Sequence, residues 1–423
     1  MKTRLVHGAG AFALLAIAGS LLVASPAAAI DVQNPVCPPA KAVRGIPIAP
    51  TPALDFVDKS AQVSISAGTL PTGVKLTGDL VRRVPYQFEG TPTATGTSTF
   101  TVKAEFDGAL QKTIACTMVV SAPPAVSRIQ GTDRYDQAVQ ISKASFSHAD
   151  TVYLASGEKF PDALSAGAVA GVHEAPLLLT PAGELTAGTK AEIARLRPEH
   201  IVVVGGSASV SKPVIDDLTA TFGPATVTRI GGVDRFEVSR NLIADKNFGV
   251  PEASWVYLAT GANFPDALAA SPAAVTKNAP VLLVNGAETA PTAAETALLD
   301  SLGVTNIQIA GGTATVSQAL QTALETPFVV TRASGADRFE AAVAVNQEFF
   351  TSPTIYLASG LVFPDALSAA PVAGAAGNPI YLVQQNCVPA SVLQEVVRLE
   401  PTKIVVLGGP NTLGSGVEAL KPC

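Results

Sequence analysis

The sequence predicts a multidomain chain of two unlike parts: a short N-terminal β-sandwich, then three α/β repeats with parallel sheets. Three observations predict it. Strand-like alternation of apolar and polar residues dominates the region before residue 123. Beyond it, three motifs return in the same order with a period of about one hundred residues. The composition, 48% hydrophobic but only 15% charged and 5% aromatic over 423 residues, suits small-residue α/β cores and excludes a disordered chain. That length exceeds what one core serves, so several domains are expected.

The first element is an address. Lys2 and Arg4 precede an apolar run over 9–23, and Ala27 and Ala29 offer a small-residue cleavage site, so 1–29 reads as a signal peptide. The run is short for a membrane span, and no later stretch is apolar for long enough to supply one. The mature chain is therefore expected outside the cell, in a setting where cysteines pair. Cys37 and Cys116 fall early and Cys387 and Cys423 fall in the last forty residues, which favours the pairs Cys37–Cys116 and Cys387–Cys423 among three connectivities. No close C-x-x-C pair exists, so no metal is expected there.

Residues 30–122 follow. Strands are expected over 61–66, 98–106 and 113–120, where Thr, Val and Phe alternate with polar residues between Gly and Pro. The segments Leu70-Pro71-Thr72-Gly73-Val74-Lys75-Leu76 and Gly90-Thr91-Pro92-Thr93, followed by Phe100-Thr101-Val102, resemble the Ig-like domains of bacterial surface proteins. The resemblance implies a spacer or adhesive module and names no ligand. Ser121-Ala122-Pro123-Pro124 then reads as a short, stiff linker.

Three repeats fill the remainder, at 123–224, 225–327 and 328–423. Arg128-Ile129-Gln130-Gly131-Thr132-Asp133-Arg134-Tyr135 returns as Arg229-Ile230-Gly231-Gly232-Val233-Asp234-Arg235-Phe236 and as Arg332-Ala333-Ser334-Gly335-Ala336-Asp337-Arg338-Phe339. Phe160-Pro161-Asp162-Ala163-Leu164 recurs at 264–268 and 363–367, and a strand ending in Gly-Gly recurs at Gly205-Gly206, Gly311-Gly312 and Gly408-Gly409. In the second copy, strands are expected at 226–230, 255–260, 280–284 and 306–310. Helices are expected over 236–248, from Pro265, over 293–302 and over 316–324. Continuous Val, Leu and Ile strands alternating with helices imply a parallel sheet covered on both faces.

These units resemble the cell wall binding repeat 2 family of Gram-positive bacteria over 125–423, about 70% of the chain. The resemblance implies a Toprim-like fold for each repeat, a pseudo-threefold ring of three, and non-covalent attachment to an anionic wall polymer. A teichoic-acid-like chain or related polysaccharide is the implied partner.

The repeated charged residues carry two readings each. Asp133, Asp234 and Asp337 sit where a helix N-cap belongs, with Asp136, Glu237 and Glu340 three residues on to complete a capping box worth about 1 kcal/mol per helix. Asp162, Asp266 and Asp365 follow a proline suited to the first helical position, and there they favour the helix dipole. Arg128, Arg229 and Arg332, with Arg134, Arg235 and Arg338, either pair with Asp or join repeats, or grip an anion through bidentate guanidinium contacts. Bulk charge does not help. The net charge is −6, removal of Lys2 and Arg4 takes it to −8, and the repeats hold 18 basic against 27 acidic residues. That balance excludes a generic nucleic-acid binder and requires local arginines, helix N-termini or bridging cations for any anionic ligand.

No enzyme is expected, and no catalytic residue, cofactor or metal. H-E-x-x-H, G-x-S-x-G, phosphate-binding and EF-hand loops are absent from the sequence, as is D-x-D. His148, His173 and His200 lie in one repeat only, and His173 and His200 read as surface residues rather than ligands. The function expected is an exported, non-catalytic protein tethered to the wall and displaying an Ig-like domain. The alternative is an adhesin or surface-layer-type protein whose repeats bind a protein partner or each other.

Overall fold

The computed structural model describes residues 34–55, 61–106 and 110–423. The expected signal peptide at 1–29 lies outside the described residues.

The N-terminal part is all β. Its strands are β1 (Lys41–Val43), β2 (Thr51–Pro52), β3 (Ala61–Gly68), β4 (Val74–Asp79), β5 (Val84–Gly90), β6 (Gly96–Phe106) and β7 (Leu110–Ser121). They form two sheets, ordered β1-β7-β6-β3 and β2-β5-β4. One core joins them, with Phe88 from the smaller sheet against Phe100, Val102 and Met118 from the larger. The two quoted segments lie side by side, since Thr91 N donates to Gly73 O and Thr93 N to Thr72 O. Cys37, just ahead of β1, is bridged to Cys116 on β7.

The first repeat contains β8 (Ala125–Ile129), α1 (Arg134–Ser145), β9 (Thr151–Ser156), α2 (Phe160–Val172), β10 (Leu177–Thr180), α3 (Ala187–Leu196), β11 (His200–Val204) and α4 (Lys212–Phe222). The second contains β12 (Val227–Ile230), α5 (Arg235–Ala244), β13 (Trp255–Thr260), α6 (Pro265–Thr276), β14 (Val281–Val284), α7 (Ala293–Leu302), β15 (Asn306–Ala310) and α8 (Gln318–Leu324). The third contains β16 (Val329–Ala333), α9 (Arg338–Val345), β17 (Thr354–Ser359), α10 (Pro364–Leu367), α11 (Ala369–Ala375), β18 (Ile380–Val383), α12 (Ala390–Leu399), β19 (Lys403–Leu407) and α13 (Ser415–Glu418). Helix α5 stops four residues before the expected 248. The Asp245 side chain accepts from Asn247 N and Phe248 N and turns the chain out of the helix.

Each repeat region carries a four-stranded parallel sheet, but the sheets do not coincide with the sequence repeats. Their orders are β10-β9-β11-β12, β14-β13-β15-β16 and β18-β17-β19-β8. The strand that opens each repeat therefore completes the sheet of the preceding one, and β8 completes the sheet of the last. Helices α2, α6 and α11 pack against one another at the centre. Only glycine fits at Gly171 and Gly374 there, because a Cβ at either would overlap Val275. Phe160, Phe264 and Phe363 meet above these helices, with ring centroids 5.6–6.1 Å apart.

The β-domain is docked rather than dangling. Val43 and Ile46 belong to the core of the repeats. Gln394 on α12 donates to Pro47 O at 3.0 Å, and Lys41 pairs with Glu400. The second disulfide, Cys387–Cys423, fixes the last residues beside Val388, which pairs with Pro422.

Candidate functional site

At each junction between repeats the C-terminal ends of the sheet strands leave a cleft, the usual ligand edge of an open α/β sheet. Its floor is built by local rules. The Gly-Gly turn after the third strand needs a left-handed residue, and Gly205, Gly311 and Gly408 have φ of 115°, 107° and 97°. A Cβ at any of them would also overlap the carboxylate of Asp162, Asp266 or Asp365 respectively. Those carboxylates lie in the first turn of α2, α6 and α10. Asp162 and Asp266 are only 6% and 8% exposed. Pro265 and Pro364 open their helices as expected, whereas Pro161 is second in α2 because Phe160 already has helical geometry.

Burial raises the pKa of all three carboxyls above the ordinary range. Hydrogen bonds from Ser209, Thr315 and Thr412 oppose that shift. So do the nearby guanidiniums of Arg235 at Asp162, Arg338 at Asp266 and Arg134 at Asp365. Each cleft thus takes its aspartate and hydroxyl from one repeat and its arginine from the repeat whose first strand completes that sheet. The hydroxyls escaped the sequence reading, although a signal exists: each stands three residues after the second glycine of its Gly-Gly pair.

The six arginines divide into two rows. In the first row, Arg229 donates to Gly205 O and Val210 O, and Arg332 donates to Gly311 O and the Gln321 side chain. Arg128 donates to Gly408 O and Leu413 O and pairs with Glu418 at 2.9 Å. Burial lowers the pKa of Arg229 and Arg332, and these side chains are committed to holding the Gly-Gly loops. The second row is different. Arg134, Arg235 and Arg338 each spend one Nη1 donor on a carbonyl, of Gly157, Gly261 and Gly360, at 2.6–2.7 Å. Their remaining donors make no hydrogen bond to the described residues. Arg134 lies 6.0 Å from the Phe363 ring and Arg235 5.9 Å from Phe160.

Asp133, Asp234 and Asp337 are the N-caps of α1, α5 and α9, each accepting from two backbone N–H groups. The acid three residues on does not close the box on the cap itself. Asp136, Glu237 and Glu340 accept instead from the N–H of Thr132, Val233 and Ala336, one residue earlier, because the Gly-x turn aims that group at the helix. The Thr132 N–H leads the causes that depress the Asp136 pKa.

The clefts differ in size. Their volumes are about 420 Å³ between the first and second repeats, 220 Å³ between the second and third, and 780 Å³ between the third and first. The histidines lie elsewhere. His148 and His173 are exposed, the former facing Asp150, whereas His200 is half-buried rather than on the open surface. The loop ending α5 touches both rings: His173 Nε2 is 2.7 Å from Gly249 O, and the His200 ring lies 5.1 Å from that of Phe248. Among the described residues there is no group of three or more His, Cys, Asp or Glu able to hold a metal, and no helix long and apolar enough to cross a membrane.

Three tandem α/β units, with an inter-repeat cleft at every junction, define a modular binding protein of the repeat class. The chain belongs to the cell wall binding domain 2 family, whose model matches residues 128–215, 229–321 and 332–418. It is 30% identical over 253 residues to the N-acetylmuramoyl-L-alanine amidase LytC of Bacillus subtilis, covering 60% of this chain and 49% of that protein. It is also 30% identical over 265 residues to the amidase enhancer of the same organism, covering 62% of this chain and 35% of that one. The chain thus spans half or less of these relatives. Among solved structures, Cwp6 from Clostridium difficile shares the fold with a TM-score of 0.65 at 20% identity, over 90% of this chain and 67% of that one. Cwp8 from the same organism gives 0.61 at 25% identity, over 77% and 58%. Family membership supports association with the bacterial cell wall.

Proposed function

We propose that this protein is exported and non-catalytic, and that its three repeats form a pseudo-threefold ring that holds an anionic wall polymer without a covalent bond. The observation that carries this reading is the second arginine row. Arg134, Arg235 and Arg338 occupy equivalent clefts, and each keeps guanidinium donors that make no hydrogen bond to the described residues. A guanidinium in a partly desolvated cleft grips phosphate or carboxylate well, which answers the objection from the negative net charge. Asp162, Asp266 and Asp365 set the position of the loops and moderate the local field. The Ig-like β-domain, seated on α12, is displayed at a fixed angle.

The test is co-sedimentation of the purified chain with isolated cell walls, native or stripped of anionic polymer by mild acid, across a salt series. Binding only to unstripped walls, lost with the triple substitution of Arg134, Arg235 and Arg338 by Gln, is the expected result. Equal binding to both walls, or to neither, overturns polymer recognition. Loss of self-association in the variant with wall binding retained would point to surface assembly instead.

A further inference from the structure

The three clefts share their aspartate, hydroxyl and arginine, yet four other positions change together at one of them. Where the first/second cleft has Glu158 and Lys159 ahead of its phenylalanine, and the second/third has Ala262 and Asn263, the third/first cleft has Leu361 and Val362. These two are 59% and 45% exposed on the cleft wall, beside Phe363. Opposite them, Gln130 stands where the other clefts have Gly231 and Ser334, and Asn411 where they have Ala208 and Ala314. Both residues are exposed and line the cleft, and neither side-chain amide makes a hydrogen bond to the described residues. The same cleft is the largest, at about 780 Å³, and reaches the phenylalanine triangle at the centre. That volume falls in the range of small-molecule sites, roughly 300–1,000 Å³.

An apolar wall facing two free amides, each both donor and acceptor, is complementary to one kind of ligand. A sugar ring offers a face of C–H groups to the apolar wall and equatorial hydroxyls to the amides. A bare phosphate has no use for the leucine and valine, and an apolar peptide side chain leaves the amides unpaired. We infer that the cleft between the third and first repeats is a glycosyl subsite, which seats an uncharged sugar unit of the wall polymer through Leu361, Val362, Gln130 and Asn411. This rests on the polymer-binding reading above. It adds a division of labour: one cleft reads the sugar while the arginines hold the charge.

The test uses the full mature chain and neutral oligosaccharides, released from the producing bacterium's wall polymer by hydrofluoric acid, which removes its phosphates. Calorimetry should detect binding to the wild type. The double variants Gln130→Gly with Asn411→Ala, and Leu361→Glu with Val362→Lys, copy the residues of the sister clefts. Each should weaken oligosaccharide binding by on the order of tenfold or more, the first through loss of one or two hydrogen bonds and the second through loss of apolar contact with the sugar face. Unchanged thermal melts would show that both variants fold. Binding to native walls without binding to the oligosaccharides overturns the glycosyl subsite and leaves the tether standing. Oligosaccharide binding that neither variant weakens also overturns the subsite. Binding to neither probe overturns both readings.

Discussion

Two of the three junctions between repeats are crossed by continuous chain, and the third is not. From β11 the polypeptide runs through α4 into β12, and from β15 through α8 into β16, so those sheets are completed by the next stretch of backbone. The third sheet is completed by β8, whose Arg128 lies 280 residues from the Gly408 carbonyl it binds. The same arginine position does most where the chain does least. Arg128 satisfies two carbonyls and an ion pair with Glu418, whereas Arg332 leaves its Nη2 buried without a partner. The disulfide Cys387–Cys423 anchors the segment that presents Leu413 and Glu418. The junction without covalent continuity adds side-chain bonds to its strand ladder, and it is also the junction whose cleft is most voluminous and chemically distinct.

The closing junction depends most on its disulfide. It closes a segment of 36 residues, for which chain entropy suggests about 4 kcal/mol. Cys387→Ser should lower stability by up to that amount, and hydrogen exchange should rise first in β8 and β19. Uniform loss of protection across all three sheets would deny the closing junction its special role. Next in size, Gly205→Ala, Gly311→Ala and Gly408→Ala should each cost about 3 kcal/mol in chemical denaturation, since overpacking and a left-handed backbone act together. Near-equal values are expected because the aspartate contact is common to all junctions. The arginines should then separate the junctions. Arg128→Ala should cost about 2–3 kcal/mol and more than Arg332→Ala, whose guanidinium is incompletely satisfied. The reverse ranking would show that the ion pair adds nothing.

The smallest effect is one of pH. Burial raises the carboxyl pKa of Asp162, Asp266 and Asp365, so in the window above the ordinary value of about 3.9 the folded chain binds more protons than the unfolded chain. Their contribution to stability therefore increases as pH falls through the raised values. Neutralising a carboxylate beside Arg134, Arg235 or Arg338 also strengthens the attraction for an anion. Wall binding should tighten several-fold in mildly acidic solution, and a triple Asp→Asn variant should lose that dependence. A wild type whose binding is flat with pH would place the polymer away from these carboxylates.

The parts of the molecule with local causes were legible in its sequence. The order of strands and helices follows from apolar period and length, and the caps at Asp133, Asp234 and Asp337 from a carboxylate two and three residues ahead of free N–H groups. Repeat phase follows from self-similarity, and the two disulfides match the pairing favoured by cysteine clustering. Whatever depends on neighbours distant in sequence emerged with the packing of the whole chain. That packing sent the opening strand of each repeat into the preceding sheet, joined the aspartate of one repeat to the arginine of the next, and separated two arginine rows identical in chemistry. Sequence places Arg128 on a strand and Arg134 at a helix start but names no partner for either: strand pairing commits one to the Gly408 and Leu413 carbonyls, while the other spends a single donor on Gly157 O at the rim of a cleft.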